Sequence, residues 1–210
     1  MIIVHHLENS RSQRILWMLE ELGLPYEIKR YERNKKTMLA PPELKQVHPL
    51  GKSPVIEDTD DANHVIAETG AIVEYLVDKA DGRLGAPANR AGALDYRYWL
   101  HYAEGSLMPP LLLKLVLARV PIFGKSVTKR IQPWIETHLD FVEATLVARP
   151  WFTGDAMTAA DVMMSFPLEA ARSRGGLDGS RPATIAWLEK VQALPAYQTA
   201  LRKGGPYVYA

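Results

Sequence analysis

The chain has 210 residues, of which 47% are hydrophobic and 23% charged, and 25 basic against 24 acidic side chains leave a formal net charge of +1. This composition excludes a disordered or collagen-like protein, and the near-neutral balance gives no electrostatic footprint for nucleic acid or an anionic membrane. The absence of cysteine excludes disulfides, thiolate metal sites and a nucleophilic thiol carried by the protein. The most apolar stretch, residues 111–123, is too short to span a bilayer, so we expect a soluble cytoplasmic protein.

Strand and helix patterns alternate over the first eighty residues. Runs of β-branched residues predict strands, and apolar side chains at intervals of three and four predict helices. Gly23 and Pro25 are typical of a helix end. The predicted strands cover residues 2–4, 26–31, 54–57 and 64–67, and the predicted helices cover residues 12–22 and 69–79. This order indicates a mixed α/β unit over residues 1–80.

Strand patterns disappear after residue 80. Residues 81–92 are rich in glycine and predict a linker, and residues 93–210 predict an all-helical domain. Helical patterns cover residues 91–118, 125–147, 158–174, 182–192 and 196–203. We expect Pro109 and Pro110 to kink or divide the first of these helices. Thr158 and Asp161 have the spacing of a capping box.

Pro54 opens a predicted strand, at a position where a proline need not donate to a sheet. If the Ser53–Pro54 bond is cis, the chain turns sharply and leaves the Ser53 N–H and C=O free to pair with an extended peptide. If the bond is trans, Pro54 merely starts the strand. Because only about 5–6% of X-Pro bonds are cis in folded proteins, the dipeptide alone favours the trans bond.

Glu68 and Thr69 lie between a predicted strand and a predicted helix. Thr69 is a suitable N-cap, and the free N–H groups and dipole of a helix N-terminus attract a carboxylate. Glu68 would attract an ammonium group. The pair therefore suits the head group of an amino acid, and the alternative is an ordinary N-cap beside a solvated glutamate.

A polar turn, Asn9-Ser10-Arg11-Ser12, joins the first predicted strand to the first predicted helix. A serine hydroxyl that donates to a thiolate favours the charged form and lowers the pKa of the thiol. The alternative is that Ser10 and Ser12 are turn and N-cap residues. The sequence has no G-x-S-x-G hydrolase motif.

The histidines show no metal-binding pattern, so we expect no metal. His5 and His6 are neighbours that would point to opposite faces of a regular strand, and the remaining histidines lack the H-E-x-x-H spacing. Tyr98 and Tyr102 belong to an aromatic group at helical spacing. That group predicts either core packing or the wall of an apolar pocket.

In their order along the chain, these motifs resemble the cytosolic glutathione transferase family. The turn is similar to that of a bacterial and fungal subgroup of the serine type. The strings that carry the resemblance are NSRSQRILW at 9–17, GKSPVI at 51–56, ETGAI at 68–72 and FTGDAMTAAD at 152–161. The resemblance spans nearly the whole chain and implies a thioredoxin-like N-terminal domain, an all-α C-terminal domain and a homodimer.

The resemblance also implies a binding site for glutathione in the first domain. Ser53, beside a cis Pro54, would pair with the cysteinyl part of glutathione. Glu68 and Thr69 would hold the γ-glutamyl end, and Lys52 would reach the glycine carboxylate.

Ser10 aligns with the serine that stabilises the thiolate in serine-type members of the family. Asn9 and Ser12 are neighbours with usable side chains, and no tyrosine occupies the turn. The helical domain is expected to contribute the site for a hydrophobic substrate. Its expected lining residues are Tyr98, Tyr102 and Phe123.

The function implied by the resemblance is a transferase that activates glutathione for attack on a small hydrophobic electrophile, as in detoxification. Because the protein has no cysteine, the reactive sulfur would arrive with the ligand. One alternative is a glutathione-dependent peroxidase or disulfide reductase on the same scaffold. A second alternative is a non-catalytic binding or interaction module. Neither nucleic acid nor a membrane is an expected partner.

Overall fold

The computed structural model of the chain describes residues 1–62, 64–121 and 124–209. They form two compact units: residues 1–85 with 193–208, and residues 86–192 with Tyr209. The helical patterns predict that residues 193–208 belong to the helical domain, whereas the structure groups them with the first unit. No helix in the described part of the chain is long and apolar enough to cross a membrane.

Within the part of the chain that the structure describes, every strand lies in the first unit. The strands are β1 (Ile2–Leu7), β2 (Tyr26–Tyr31), β3 (Val55–Asp58) and β4 (His64–Ala67). The helices are α1 (Ser12–Leu22), α2 (Leu44–Val47), α3 (Thr69–Lys79), α4 (Arg90–Tyr102), α5 (Met108–Leu117), α6 (Gly124–Ala148), α7 (Ala159–Ala170), α8 (Pro182–Gln192) and α9 (Pro195–Gly204). Two π-helical turns, Ala103–Leu107 and Ala171–Gly175, follow α4 and α7.

The first unit is built on a four-stranded mixed sheet with the order β2-β1-β3-β4. β1 is parallel to β2 and antiparallel to β3, and β3 is antiparallel to β4. This sheet with its helices is the thioredoxin-like domain, which confirms the predicted fold class. β1 is longer than predicted, because it continues through His5, His6 and Leu7.

Helix α1 covers the hydrophobic centre of the first unit. It packs against β1, α3 and α9, and Gly23 ends it with a left-handed φ of 63°. α9 is held to α1 by Tyr197, whose ring lies edge-on to Trp17 with 5.5 Å between centroids. At the end of α9, a Cβ on Gly204 would lie 2.6 Å from Gln13 Oε1, so a larger residue there would displace the Gln13 side chain.

The second unit is all helical, as predicted. The single helix expected over residues 91–118 is divided into α4 and α5 by the first π-helical turn. Pro109 and Pro110 lie in the first turn of α5. The division therefore falls just before the prolines.

Helix α7 is the core of the second unit, because all of its residues are buried. The predicted capping box at its N-terminus is confirmed: the Thr158 N–H donates to Asp161 Oδ2 at 2.8 Å. The Phe152 N–H donates to Asp161 Oδ1 at 3.0 Å. Burial nevertheless raises the pKa of Asp161 to about 6.

Candidate functional site

The turn between β1 and α1 brings two serine hydroxyls together. Ser10 Oγ lies 2.7 Å from Ser12 Oγ, and the Ser12 N–H donates to Ser10 Oγ at 3.2 Å. Ser12 is fully buried, whereas Ser10 keeps 5% of its surface exposed. The N-cap position of α1 is Arg11, with no side-chain cap, so the alternative N-cap role is not observed for either serine. A ligand at this turn would therefore meet Ser10 and not Ser12.

His6 extends this pair of serines into the core. Its Nδ1 lies 2.8 Å from Ser12 Oγ, and its ring also hydrogen-bonds to the main chain of Gly204. Burial, together with the charge of Arg30, lowers the pKa of His6 to about 4, so the ring is neutral at pH 7. His6, Ser12 and Ser10 form a continuous hydrogen-bonded chain that runs from the core towards the surface.

Asn9 is partly exposed and has a left-handed φ of 50°. Its side-chain Oδ1 accepts a hydrogen bond from the Val208 N–H at 2.9 Å. Its main-chain carbonyl accepts from Arg33 Nη2 at 3.3 Å. Because Oδ1 is engaged, the Nδ2 hydrogens are the donors that the amide can offer to a ligand.

The Ser53–Pro54 peptide bond is cis, so the trans bond favoured by the dipeptide alone is wrong. The Ser53 hydroxyl donates to the His5 carbonyl at 2.7 Å and accepts from the Leu7 N–H at 3.2 Å. Among the described residues, no hydrogen bond uses the Ser53 N–H or C=O. The neighbouring Lys52 is exposed.

Glu68 occupies the N-cap position of α3, where Thr69 was predicted, and Thr69 is the first helical residue. Glu68 has φ 69° and ψ 123°, a conformation that non-glycine residues rarely adopt. Its side chain is exposed and makes no cap hydrogen bond, while Thr69 is buried. The exposed carboxylate therefore lies beside the N–H groups of the first turn of α3, which have no partner within the helix.

These three segments meet at one end of the sheet. The Leu7 N–H lies 3.2 Å from both Ser12 Oγ and Ser53 Oγ, which joins the serine turn to the cis-proline segment. The pairing of Val55 with Ala67 puts Pro54 and Glu68 next to each other where β3 begins and β4 ends. This end of the sheet offers donors for a sulfur, a free main-chain edge, an acid and a helix N-terminus, a set that suits a short peptide with a thiol and charged ends.

The second unit holds an open groove of about 440 Å³ along α4 and the turn that follows it. Tyr98 is 48% exposed there, and its ring stacks on Tyr102 with 5.5 Å between centroids. Tyr102 is buried, and its hydroxyl lies 2.6 Å from His138 Nδ1. Burial raises the pKa of the Tyr102 phenol. The third predicted lining residue, Phe123, lies outside the described residues. The groove is lined by Leu94, Arg97, Tyr98, His101, Tyr102, Gly105 and Ser106.

Three participants in these clusters are not predicted by the sequence. The sequence offers His6 only as a possible metal ligand, and within the described residues no group of three His, Cys, Asp or Glu side chains could hold a metal ion. The Val208 N–H is a main-chain group and leaves no signal in a sequence. His138 could have been found only by knowing that α6 packs beside α4.

Two family descriptions match the chain: "Glutathione S-transferase, N-terminal domain" over residues 10–79 and "Glutathione S-transferase, C-terminal domain" over residues 107–195. The chain is also 37% identical to "Glutathione S-transferase 3" of Schizosaccharomyces pombe, over 97% of this chain and 88% of that protein.

Solved structures give the same result. A glutathione S-transferase from Actinobacillus pleuropneumoniae is 34% identical and superposes with a TM-score of 0.88, covering 99% of this chain and 94% of that one. The transferase URE2P8 from Phanerochaete chrysosporium, solved with oxidised glutathione, has a TM-score of 0.82 over 97% of this chain and 94% of that one. At 22% identity, the second comparison speaks for the fold alone.

Proposed function

The chain belongs to the glutathione S-transferase family, and we propose that it binds glutathione and activates its thiol for attack on hydrophobic electrophiles. The observation that carries this proposal is the meeting of the serine turn, the Ser53 main chain and Glu68 at one end of the sheet. The name of the fission-yeast relative supports glutathione as the co-substrate.

Each part of glutathione has a matching group in the first unit. The Ser53 N–H and C=O would pair with the main chain of the cysteinyl residue, in the manner of an added strand. The Glu68 carboxylate would take the α-ammonium of the γ-glutamyl residue, and the first turn of α3, at Thr69, would take its α-carboxylate. Lys52 would reach the glycine carboxylate.

The thiolate would be stabilised at the β1–α1 turn. Ser10 and the Nδ2 group of Asn9 are the donors within reach of a ligand, whereas Ser12 is buried behind Ser10. A hydrogen bond to a charged group contributes about 1.5–3 kcal/mol, which corresponds to a fall of about 1–2 units in the pKa of the thiol. The protein would supply these donors, and the ligand would supply the sulfur.

The groove of the second unit is our proposed site for the electrophile. Its exposed Tyr98 ring offers an aromatic face, while Tyr102 packs behind it with its hydroxyl bound to His138. Replacing Tyr98 by Ala should raise KM for an aromatic electrophile several-fold and leave KM for glutathione unchanged. An unchanged KM for the electrophile would contradict this assignment.

We also propose a cytoplasmic homodimer. Phe141 on α6 is an exposed aromatic residue, with 44% of its surface accessible. A second copy of the chain would cover α6 at Phe141 and leave the groove at Tyr98 open to the electrophile. Light scattering should show a dimer for the wild type and for Val147→Asp, a matched change on another face of α6, and a monomer for Phe141→Asp. A wild-type monomer would contradict the proposal.

The test of the proposed function is glutathione binding followed by a substrate panel. Calorimetry should show a single glutathione site per chain, and Ser10→Ala should slow the reaction with a chloro-nitroarene. Ser126→Ala, an exposed serine on α6, is the control. Turnover of an organic peroxide or a small disulfide, with no turnover of the nitroarene, would favour the peroxidase or reductase. Glutathione binding without turnover of any of these substrates would favour a binding module.

A further inference from the structure

The side chain of Arg33, just after β2, joins the β1–α1 turn to the loop at residues 34–40. Its Nε donates to the Glu8 carbonyl at 3.2 Å, and its Nη2 donates to the Asn9 carbonyl at 3.3 Å. In the loop, its Nη1 donates to the Met38 carbonyl at 2.9 Å. The Arg33 N–H adds a 2.7 Å hydrogen bond to Glu8 Oε1. One partly buried arginine therefore ties two segments of main chain together.

Each of these segments contains a non-glycine residue in the left-handed region. Asn9 has a φ of 50° and Met38 a φ of 60°. Few non-glycine residues adopt this conformation, and those that do are held in it by their surroundings. The carbonyls of these two residues are the ones that accept from Arg33 Nη2 and Nη1. The guanidinium therefore stabilises both left-handed residues.

The conformation of Asn9 determines where its amide points. While Arg33 holds the main chain of Asn9, the Val208 N–H donates to Oδ1 of the side chain at 2.9 Å. Because a main-chain N–H can only donate, the atom that it contacts is the amide oxygen, and Nδ2 is the donor that remains. One contact on the main chain and one on the side chain together fix the direction of the Nδ2 hydrogens.

We propose that Arg33 is a positioning residue of the transferase site: its guanidinium holds the β1–α1 turn so that the Asn9 amide donates to the sulfur of bound glutathione. The inference rests on the proposed function and names a residue that this function does not require. Arg33 acts through the main chain of Asn9, since three of its guanidinium hydrogens are used by main-chain carbonyls. The planar fork of arginine suits this role, whereas the point charge of a lysine does not reproduce it.

The test is the pKa of the thiol of bound glutathione, measured from the ultraviolet absorbance of the thiolate. Arg33→Lys keeps the positive charge but loses the fork, and Arg33→Gln loses both. Arg33→Lys should raise the bound thiol pKa by about 0.5–1 unit, because one hydrogen bond to a charged sulfur is weakened, and Arg33→Gln should raise it at least as much. Lys36→Gln removes the same charge from an exposed position in the loop and should leave the thiol pKa unchanged.

An Asn9→Gly background separates positioning from stability. Glycine accepts a left-handed φ without help from Arg33, and it has no amide to present to the sulfur. In this background, Arg33→Lys should leave the bound thiol pKa unchanged, because the donor that Arg33 positions is already absent. A purely structural role would lower the free energy of unfolding in urea and leave the thiol pKa of Arg33→Lys at the wild-type value.

If the Arg33 variants do not fold, Glu8→Ala is the decisive variant. It removes the acceptor of the Arg33 N–H and also removes a negative charge near the turn. Loosening of Arg33 predicts a rise in the bound thiol pKa, whereas the loss of a negative charge alone predicts a fall. A fall or an unchanged pKa would contradict the inference.

The inference is overturned if Arg33→Lys titrates like the wild type, whatever Arg33→Gln does, because the charge alone would then account for any effect. It is also overturned if Arg33→Lys raises the thiol pKa equally in the Asn9→Gly background. Either result would leave the proposed function standing. A wild-type protein that binds no glutathione would instead overturn the proposed function.

Discussion

At the residue scale, the groups that the site can offer to a ligand are those donors that are not already used in hydrogen bonds within the protein. The Ser53 hydroxyl donates to the His5 carbonyl, and the buried Ser12 lies between His6 and Ser10. The donors left for a ligand include the Ser53 N–H, the Asn9 amide and Ser10. The sequence identified these residue types, but the direction of each hydrogen bond depends on neighbours from other parts of the fold.

Glu68 supplies the most direct residue-level prediction. Glu68→Gln should weaken glutathione binding about tenfold, because the ammonium group would lose a charged partner, and should change kcat little. Calorimetry and steady-state kinetics measure the two effects. Glu74→Gln removes the same charge from an exposed position on α3 and serves as the control. Equal weakening by both variants would mean that the effect is only one of overall charge.

His6 also predicts how stability depends on pH. Because its pKa is lowered to about 4 in the folded protein, the unfolded chain binds more protons between pH 6.5 and 4, and stability falls as the pH falls through this range. From pH 7.5 to 5, the loss attributable to His6 is about 2 kcal/mol. Urea unfolding should show that the free energy of unfolding falls less with decreasing pH for His6→Phe than for the wild type. Parallel plots of this free energy against pH would contradict the prediction.

At the element scale, the well-predicted elements are those whose ends carry local signals. The bounds of α1 follow from Gly23 and Pro25, and α8 begins at Pro182 as predicted. The π-helical turn before α5 was not predicted, because continuous apolar spacing gives no sign of a changed hydrogen-bond register. The place of α9 was also missed, because its packing on α1 depends on Trp17, Tyr197 and Gly204 being brought together by the fold.

The segment after α9 yields a prediction for the site. Val208→Pro removes the N–H that holds Asn9 Oδ1, so Asn9 should lose its fixed orientation and kcat/KM should fall about threefold to tenfold. Val208→Ala retains the N–H and should resemble the wild type. In an Asn9→Ala background, Val208→Pro should have no further effect. If Val208→Pro lowers kcat/KM by the same factor in the Asn9→Ala background as in the wild type, the segment does not act through Asn9.

The capping box of α7 yields a prediction for stability. Asp161→Ala leaves the buried N–H groups of Thr158 and Phe152 without an acceptor and should lower the free energy of unfolding by about 2–4 kcal/mol. Asp161→Asn retains an oxygen acceptor and should cost less. Urea denaturation measures both, and a negligible change for Asp161→Ala would contradict the structural role.

At the scale of the whole molecule, the absence of cysteine and the thioredoxin-like fold together indicate that the reactive sulfur comes from the ligand. A thioredoxin-like unit without a protein thiol presents hydroxyl and amide donors at the turn after β1. The order of motifs along the chain was enough to indicate the family and the fold. The identity of the electrophile was not predictable, because the proposed site is a groove in the helical unit whose shape cannot be read from a string of residues.

The central claim is that this protein lowers the pKa of a thiol that the ligand supplies. The measurement that tests it most directly is an ultraviolet pH titration of the thiolate in the complex of the wild-type protein with glutathione. The pKa of the bound thiol should lie at least about 1 unit below that of free glutathione, as expected for one or two hydrogen bonds to a charged sulfur. A bound thiol that titrates at the same pH as free glutathione would contradict the account.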